Sequence, residues 1–314
     1  MAVSIEDIKK LRKLTSAGLS DCKAALNETN GDMEAAVEIL RQKGKAIAAK
    51  REDRNAAEGC VIAKAAGDFA VIVALNCETD FVAKNAGFVE LTEKLVDLAL
   101  DNKCKSADEL KALTVDGRTV ADLVVEESGK TGEKTEIGAY ECLEAPSVVA
   151  YNHFGNKLST IVAFNQAGVD EHVMRDVAMQ VAAMNPVAVN RDCVPQSIKD
   201  SEYNVAVEKT KEEQVTKAVE NAIKKAGINP NLVDSEDHIA SNIAKETAEA
   251  KAANLPEQMI KNIAQGRMNK FFKESCLMEQ EFVKDAKVTI GQYLEQTAKG
   301  LVAVDFKRVN LNED

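Results

Sequence analysis

Tryptophan is absent from this chain, and aromatic residues make up only 4% of it. Histidine is nearly absent too: His153, His172 and His238 are the three, and none shares a metal-motif spacing with a cysteine. A zinc-type site is therefore not expected. No histidine neighbours a serine or cysteine in a nucleophile motif, so no catalytic set is readable. The seven cysteines (22, 60, 77, 104, 142, 193 and 276) lie far apart with no C-x-x-C pair, which predicts reduced, mostly buried thiols. No G-x-G-x-x-G fingerprint occurs, and no cofactor is expected. Long apolar runs are missing as well; the longest, Phe69 to Leu75, has strand length. The opening "MAVSIEDIKKLRK" carries charge from its sixth residue and has no apolar h-region, which predicts neither signal peptide nor membrane span, and a cytoplasmic protein. Positive charge is in deficit: 40 basic against 51 acidic residues leave −11, which disfavours direct nucleic-acid binding. An acidic surface aids solubility and also suits a protein partner with basic patches.

What the sequence does hold is alanine, valine, lysine and glutamate in a chain of 314 residues, long enough for two or three domains. Residues 1–45 read as three short helices. Ser4 and Asp7 make a capping pattern ahead of Ile5, Ile8 and Leu11; Thr15 or Ser16 caps a second helix with Leu19, Cys22 and Leu26. Asn30-Gly31 ends it, and Asp32 caps a third with Ala36, Val37 and Leu40. Residues 46–57, "IAAKREDRNAAE", read as a linker that is helical in part, with Lys50 and Arg51 as linker charges.

"CVIAKAAGDFAVIVALN" then reads strand, Gly67-Asp68 turn, strand, followed by a helix through Phe88, Leu91, Leu95 and Leu98. "SVVAYNHFGNKLSTIVAFN" repeats the pattern around Gly155-Asn156, followed by a helix through Val173, Val177, Val181 and Met184. The expected fold class is thus α+β, with two related hairpin-plus-helix subdomains, at residues 58–146 and at residues 147–194 with 256–314. Segments 136–145 and 301–309 are candidate third strands for the two sheets. Residues 195–255 read as an antiparallel coiled-coil hairpin: Ile198, Val205, Val215, Val219, Ala222 and Ala226 form a seam, "GINPNL" turns, and Ser235 starts a return helix with Ile239, Ile243, Thr247 and Ala250. Such an arm either packs only on itself or binds a partner or a second copy.

Two stretches bear on function. Gly129-Lys130-Thr131 lacks the upstream glycine of a phosphate loop, since Val124 stands there, and reads as a flexible surface loop. In "NCETDFVAKNAGF", Asp80 or Thr79 caps a helix whose apolar stripe, extended backwards, reaches both Phe81 and Val82. Either can face the core, but hardly both, so one ring or branch at the tip is left outward. His153, beside the second hairpin turn, reads as an exposed turn residue.

"TDFVAKNAGF" resembles the T-D-F-V-A-K signature of the bacterial elongation factor Ts family, "SAGLSDCKAALNETNGDMEAAVEILR" its N-terminal helical module, and "GRMNKFF" a third motif; together they run through nearly the whole chain. The resemblance implies a ubiquitin-associated (UBA)-like three-helix module, two core subdomains and a coiled-coil insertion. It implies a guanine-nucleotide exchange factor without covalent chemistry, whose partner is the GTPase elongation factor Tu. Carried over by motif, Thr79, Asp80, Phe81 and Val82 form the segment that enters the GTPase near its magnesium, with Phe81 as the wedge. Lys23, Thr131, Gly132 and His153 are the other partner contacts. The chain departs from the family in a longer arm, in threonine at 131 where an aliphatic is usual, and in ending soon after "VDFKRVNLNED" without a C-terminal helical module. A homodimer through the core or the coiled coil stays open. The rival classes are a non-catalytic adaptor and a small-molecule enzyme.

Overall fold

The computed structural model describes residues 3–15, 17–225 and 256–312. Its fold is α+β, and its residues group into two compact units, Met1–Asn185 with Leu294–Asp314, and Pro186–Tyr293.

The first unit opens with α1 (Ile5–Thr15), α2 (Leu19–Glu28) and α3 (Met33–Lys50). The Ser4 hydroxyl accepts from the Asp7 amide at 3.0 Å and donates to its carboxylate, and Asp32 accepts from Ala35 N–H at 3.1 Å. These bonds satisfy amides that a helix start leaves open. Leu11, Cys22, Ala25, Leu26 and Ala36 form the core of this bundle. Helix α3 runs on through residues 46–50, so only the remainder of the linker segment is non-helical.

Strands β1 (Glu58–Ala66) and β2 (Phe69–Cys77) pair as a hairpin and lead into α4 (Asp80–Ala83), α5 (Ala86–Asp101) and α6 (Ala107–Ala112). A two-residue ribbon, β3 (Thr114–Val115) with β4 (Arg118–Thr119), precedes α7 (Val120–Thr131), and β5 (Glu136–Glu144) returns to lie beside β2. The second hairpin is β6 (Ser147–Asn152) with β7 (Leu158–Phe164), followed by α8 (Glu171–Met184).

Period-two alternation sends the side chains of each strand to two different cores. Phe69, Val71, Val73 and Leu75 face Phe88, Leu95 and Val96 of α5, whereas Ala70, Ile72 and Ala74 face Val148, Ile161 and Ala163 of the second sheet. Sheet β1-β2-β5 is therefore covered on both faces, which is why β2 is apolar almost without interruption.

The structure corrects one local expectation here. Gly129-Lys130-Thr131 is the last turn of α7, not a loop. A Cβ on Gly129 would stand 2.4 Å from Gly44 Cα, so the backbones of α3 and α7 touch at two glycines. Tertiary contact outweighs glycine's poor helix propensity at this point.

In the second unit α9 (Gln196–Lys225) lies beside α10 (Glu257–Ser275), joined by an Arg267–Glu213 ion pair at 2.6 Å. Of the predicted seam, Ile198 packs on this unit's core as expected, but Val205 is exposed, and Ala206 and Thr210 are buried instead. The Thr210 hydroxyl donates to the Ala206 carbonyl at 2.6 Å, which satisfies it inside the interface. The predicted turn and return helix, with Ile239, Ile243, Thr247 and Ala250, lie outside the described residues. Val194, Met268, Phe272 and Cys276 form this unit's core. The short ribbon β8 (Glu281–Phe282) with β9 (Asp285–Thr289) leads to α11 (Ile290–Thr297), after which β10 (Ala303–Asn310) completes the order β10-β7-β6 in the first unit.

Replacing Gly129 with alanine is expected to lower stability by about 1–3 kcal/mol through overpacking, despite alanine's better helix propensity. Calorimetry of Gly129→Ala checks this, and an unchanged or higher Tm contradicts the close crossing.

Candidate partner interface

The stretch after β2 is built as a pinned tip. Thr79, in extended conformation, is the cap: its hydroxyl oxygen accepts from Val82 N–H at 3.4 Å. Asp80 is the first helical residue and receives the Lys84 ammonium at 2.6 Å. That hydrogen bond, and then the fields of Lys84 and Lys157, hold its carboxyl below the usual range. Both side chains are well exposed, so the pair is cheap to open.

The predicted single helix is in fact two. Asn85 turns extended and accepts from Gly87 N–H at 2.9 Å, capping α5 and breaking the chain after α4. With the stripe thus interrupted, Val82 packs against the α5 core while Phe81 is 84% exposed. The outward residue is the ring.

Two acidic side chains fix this tip in a reciprocal exchange. The Glu133 carboxylate accepts from the amides of Glu78 (3.1 Å) and Thr79 (3.0 Å) and from the Thr79 hydroxyl (2.7 Å). Glu78 in turn accepts from Lys134 N–H at 2.7 Å and from Arg51 Nη1 at 2.8 Å. Arg51 is accordingly a structural partner of the tip rather than a linker charge. The Lys134 amide, and after it the Arg51 guanidinium, lower the Glu78 pKa. Gly132, left-handed at φ 72°, turns the chain out of α7 so that Glu133 can reach back. Gly138 adds a bulge residue opposite Ala74 and Leu75, just before the tip.

The second hairpin reaches the same end of the sheets. Lys157 pairs with Glu58, which sits opposite Cys77 at the end of β2. His153 is exposed, with its Nδ1 at 3.0 Å from the Tyr151 hydroxyl. Thr131 and Gly132 are tied to the tip through Glu133, whereas Lys23 stands apart, exposed on α2. Sequence reasoning missed Glu78, Glu133 and Arg51. Nothing local marks them, because their partners lie up to 56 residues away.

Among the described residues no group of three or more His, Cys, Asp or Glu is placed to hold a metal ion. A cleft of about 360 Å³ beside the Gly44–Gly129 crossing is lined by Leu14, Leu40, Leu91 and Leu123 with Arg41 and Glu126, and its walls hold no histidine, cysteine or serine. No described helix is long and apolar enough to cross a membrane.

The family described as Elongation factor TS matches residues 78–313, a span that begins at the pinned tip itself. The chain belongs to the elongation factor Ts family. Elongation factor Ts of Bacteroides thetaiotaomicron is 54% identical over 331 aligned positions, with 100% of each chain covered. That of Porphyromonas gingivalis is 47% identical over 315 positions, again with 100% of each covered. Elongation factor Ts of Azobacteroides pseudotrichonymphae is 42% identical over 312 positions, with 99% of each covered. Membership of the elongation factor Ts family gives the chain a role in translation elongation.

Two outcomes follow from the pinned tip of this elongation factor Ts member. Glu133→Ala strands the Glu78 and Thr79 amides, so their hydrogen exchange should speed up by roughly fivefold to 150-fold, the range set by about 1–3 kcal/mol per lost acceptor. Because the Glu78 pKa is depressed in the folded chain, its contribution is complete above the ordinary carboxylate pKa of about 4.3 and is lost only as pH falls through the lower folded value. Protection of the Lys134 amide should therefore hold across neutral and mildly acidic pH and be lost only at pH below the ordinary carboxylate range. Mass-spectrometric hydrogen exchange reads both.

Proposed function

We propose that this chain is a guanine-nucleotide exchange factor that binds elongation factor Tu·GDP in the cytoplasm, disturbs its magnesium and phosphate site, and promotes GDP release so that GTP can rebind. The observation that carries this reading is Phe81: a large ring 84% in solvent, on a tip whose backbone is pinned by Glu133 and capped by Thr79. A free protein gains nothing from such a ring. A partner pocket does.

Exchange of this kind needs no covalent chemistry. The factor binds a GTPase conformation that holds GDP and magnesium poorly, and by linkage its preference for the empty form equals the loss of nucleotide affinity it causes. Magnesium tolerates little departure from octahedral geometry, so a small shift of its supporting elements is an efficient lever. One anchored aromatic supplies a few kcal/mol of interface energy. Asp80 exchanges Lys84 for partner donors, and Val82 backs the ring from the core. His153, Gly132 and Lys23 grip the GTPase elsewhere. The Thr131 hydroxyl is engaged with the Glu127 carbonyl at 2.9 Å, so that segment contributes mainly through Gly132.

Under the same reading α1–α3 are the UBA-like module, and α9 begins a coiled-coil arm. Residues 58–146 form one core subdomain, and 147–194 with 256–314 the other. Phe81→Ala should slow fluorescent GDP release from elongation factor Tu by roughly tenfold or more in stopped flow, while shifting the Tm by no more than about a degree or two. Binding without accelerated release by the unaltered chain would make it an adaptor instead.

A further inference from the structure

Seven of the nine phenylalanines are buried or partly covered; Phe81 and Phe154 are not. Phe154 is the more exposed of the two, with 98% of its surface in water. It occupies the apex of the β6–β7 hairpin, a position where turn residues are ordinarily small or polar.

The apex is not loose. Asn156 N–H donates to the His153 carbonyl at 3.2 Å and His153 N–H to the Leu158 carbonyl at 2.9 Å. Gly155 at φ 90° and Asn156 at φ 54° take the left-handed positions that close the turn. The Asn156 carbonyl accepts from Val61 N–H at 2.8 Å, and Lys157 pairs with Glu58. The ring is thus held out by a turn that is itself anchored on β1.

Phe154 stands one residue after His153, and the Lys157–Glu58 pair places its turn at the same end of the sheets as the Asp80–Phe81 tip. Two ion pairs stand close together at this end, Asp80–Lys84 beside Phe81 and Glu58–Lys157 beside the Phe154 turn, with Lys157 within electrostatic reach of Asp80 and Glu58 of Lys84. Aromatic anchors set among polar groups that exclude water are the anatomy of interface hot spots. An aromatic side chain also loses little rotamer freedom when it docks.

We propose that Phe154 is a second aromatic anchor, filling an apolar pocket on the same GTPase surface that receives Phe81. This rests on the exchange-factor reading and names a contact that the motif resemblance does not assign. Phe81 and Phe154 then form two prongs on one rim.

Calorimetric titration of the full chain against purified elongation factor Tu·GDP tests it. The variants are Phe154→Ala, Phe154→Lys, and Val304→Ala as an exposed apolar control on β10. Phe154→Ala should weaken Kd at least tenfold, about 1.4 kcal/mol, with Phe154→Lys weaker still, an unchanged Tm, and Val304→Ala within twofold of the unaltered chain. Affinity within twofold for both Phe154 variants overturns the anchor and leaves the exchange reading standing. No binding by the unaltered chain overturns both. Unchanged partner affinity with a self-association abolished by Phe154→Ala, read by sedimentation, overturns it in favour of a second copy as the occupant.

Discussion

Strand β1 is the edge of its sheet, and its outer backbone groups have no strand to pair with. How they are satisfied sets where the second hairpin sits. Asn152 stands in for a peptide group: its carbonyl oxygen accepts from Ala63 N–H at 2.7 Å, and its amide donates to the Ala63 carbonyl at 2.9 Å. Ser159 donates to the Val61 carbonyl at 3.0 Å, and the Asn156 carbonyl receives the Val61 amide. An unmet buried group costs about 1–3 kcal/mol, so these four bonds select one register of the second hairpin along β1. They also blunt an edge that would otherwise invite another strand. The same register sets Val61 and Ala63 against Val148 and Ile161 in the inter-sheet core. The turn of the second hairpin consequently lies beside the open end of the first, where Glu58 stands opposite Cys77.

From that placement comes a rim whose apolar groups point outward while its acids are engaged in structural bonds. Glu78, Glu133 and Glu58 each hold a neighbouring segment: the loop after α7, the tip, and the second hairpin turn. A carboxylate that accepts main-chain amides makes a stronger bond than a neutral acceptor does, and it fixes backbone rather than side chain. The chain is acidic overall, yet here its carboxylates serve as internal ties. Rigid presentation matters because a ring that must be ordered on binding loses affinity to that ordering.

Much of the fold was legible because its signals are local. Two hairpins showed as alternating runs around Gly67-Asp68 and Gly155-Asn156, and the third strands β5 and β10 showed as leftover apolar segments. The Phe81/Val82 conflict was legible for the same reason, although the helix assumed there is broken at Asn85. What escaped was set by distant partners. Gly129 looked like a loop residue because its reason for being glycine is Gly44, on another helix. Glu133 looked like any surface acid because its three donors are in residues 78 and 79. The α9 seam departed from its predicted line at Val205, because a small residue, Ala206, and a self-satisfied Thr210 take the close approach there. Periodicity counts methyl groups, not interhelical distance.

The pinned rim also bears on how an exchange factor must divide its binding energy. Contacts made equally with the nucleotide-bound and empty GTPase raise affinity without moving the equilibrium between them. Only a contact made better in the empty form expels GDP. A tip that yielded on insertion would relax to fit either form and lose that difference. Thr79 and Glu133 fix the backbone directly beneath Phe81, and Val82 seats it on the α5 core, so on the proposed reading the GTPase is the party that must deform. Residues farther along the rim, held by the second hairpin, then serve grip rather than leverage. On that reading, the hold that Glu133 keeps on the tip from 54 residues beyond Thr79 decides which of the two proteins changes shape.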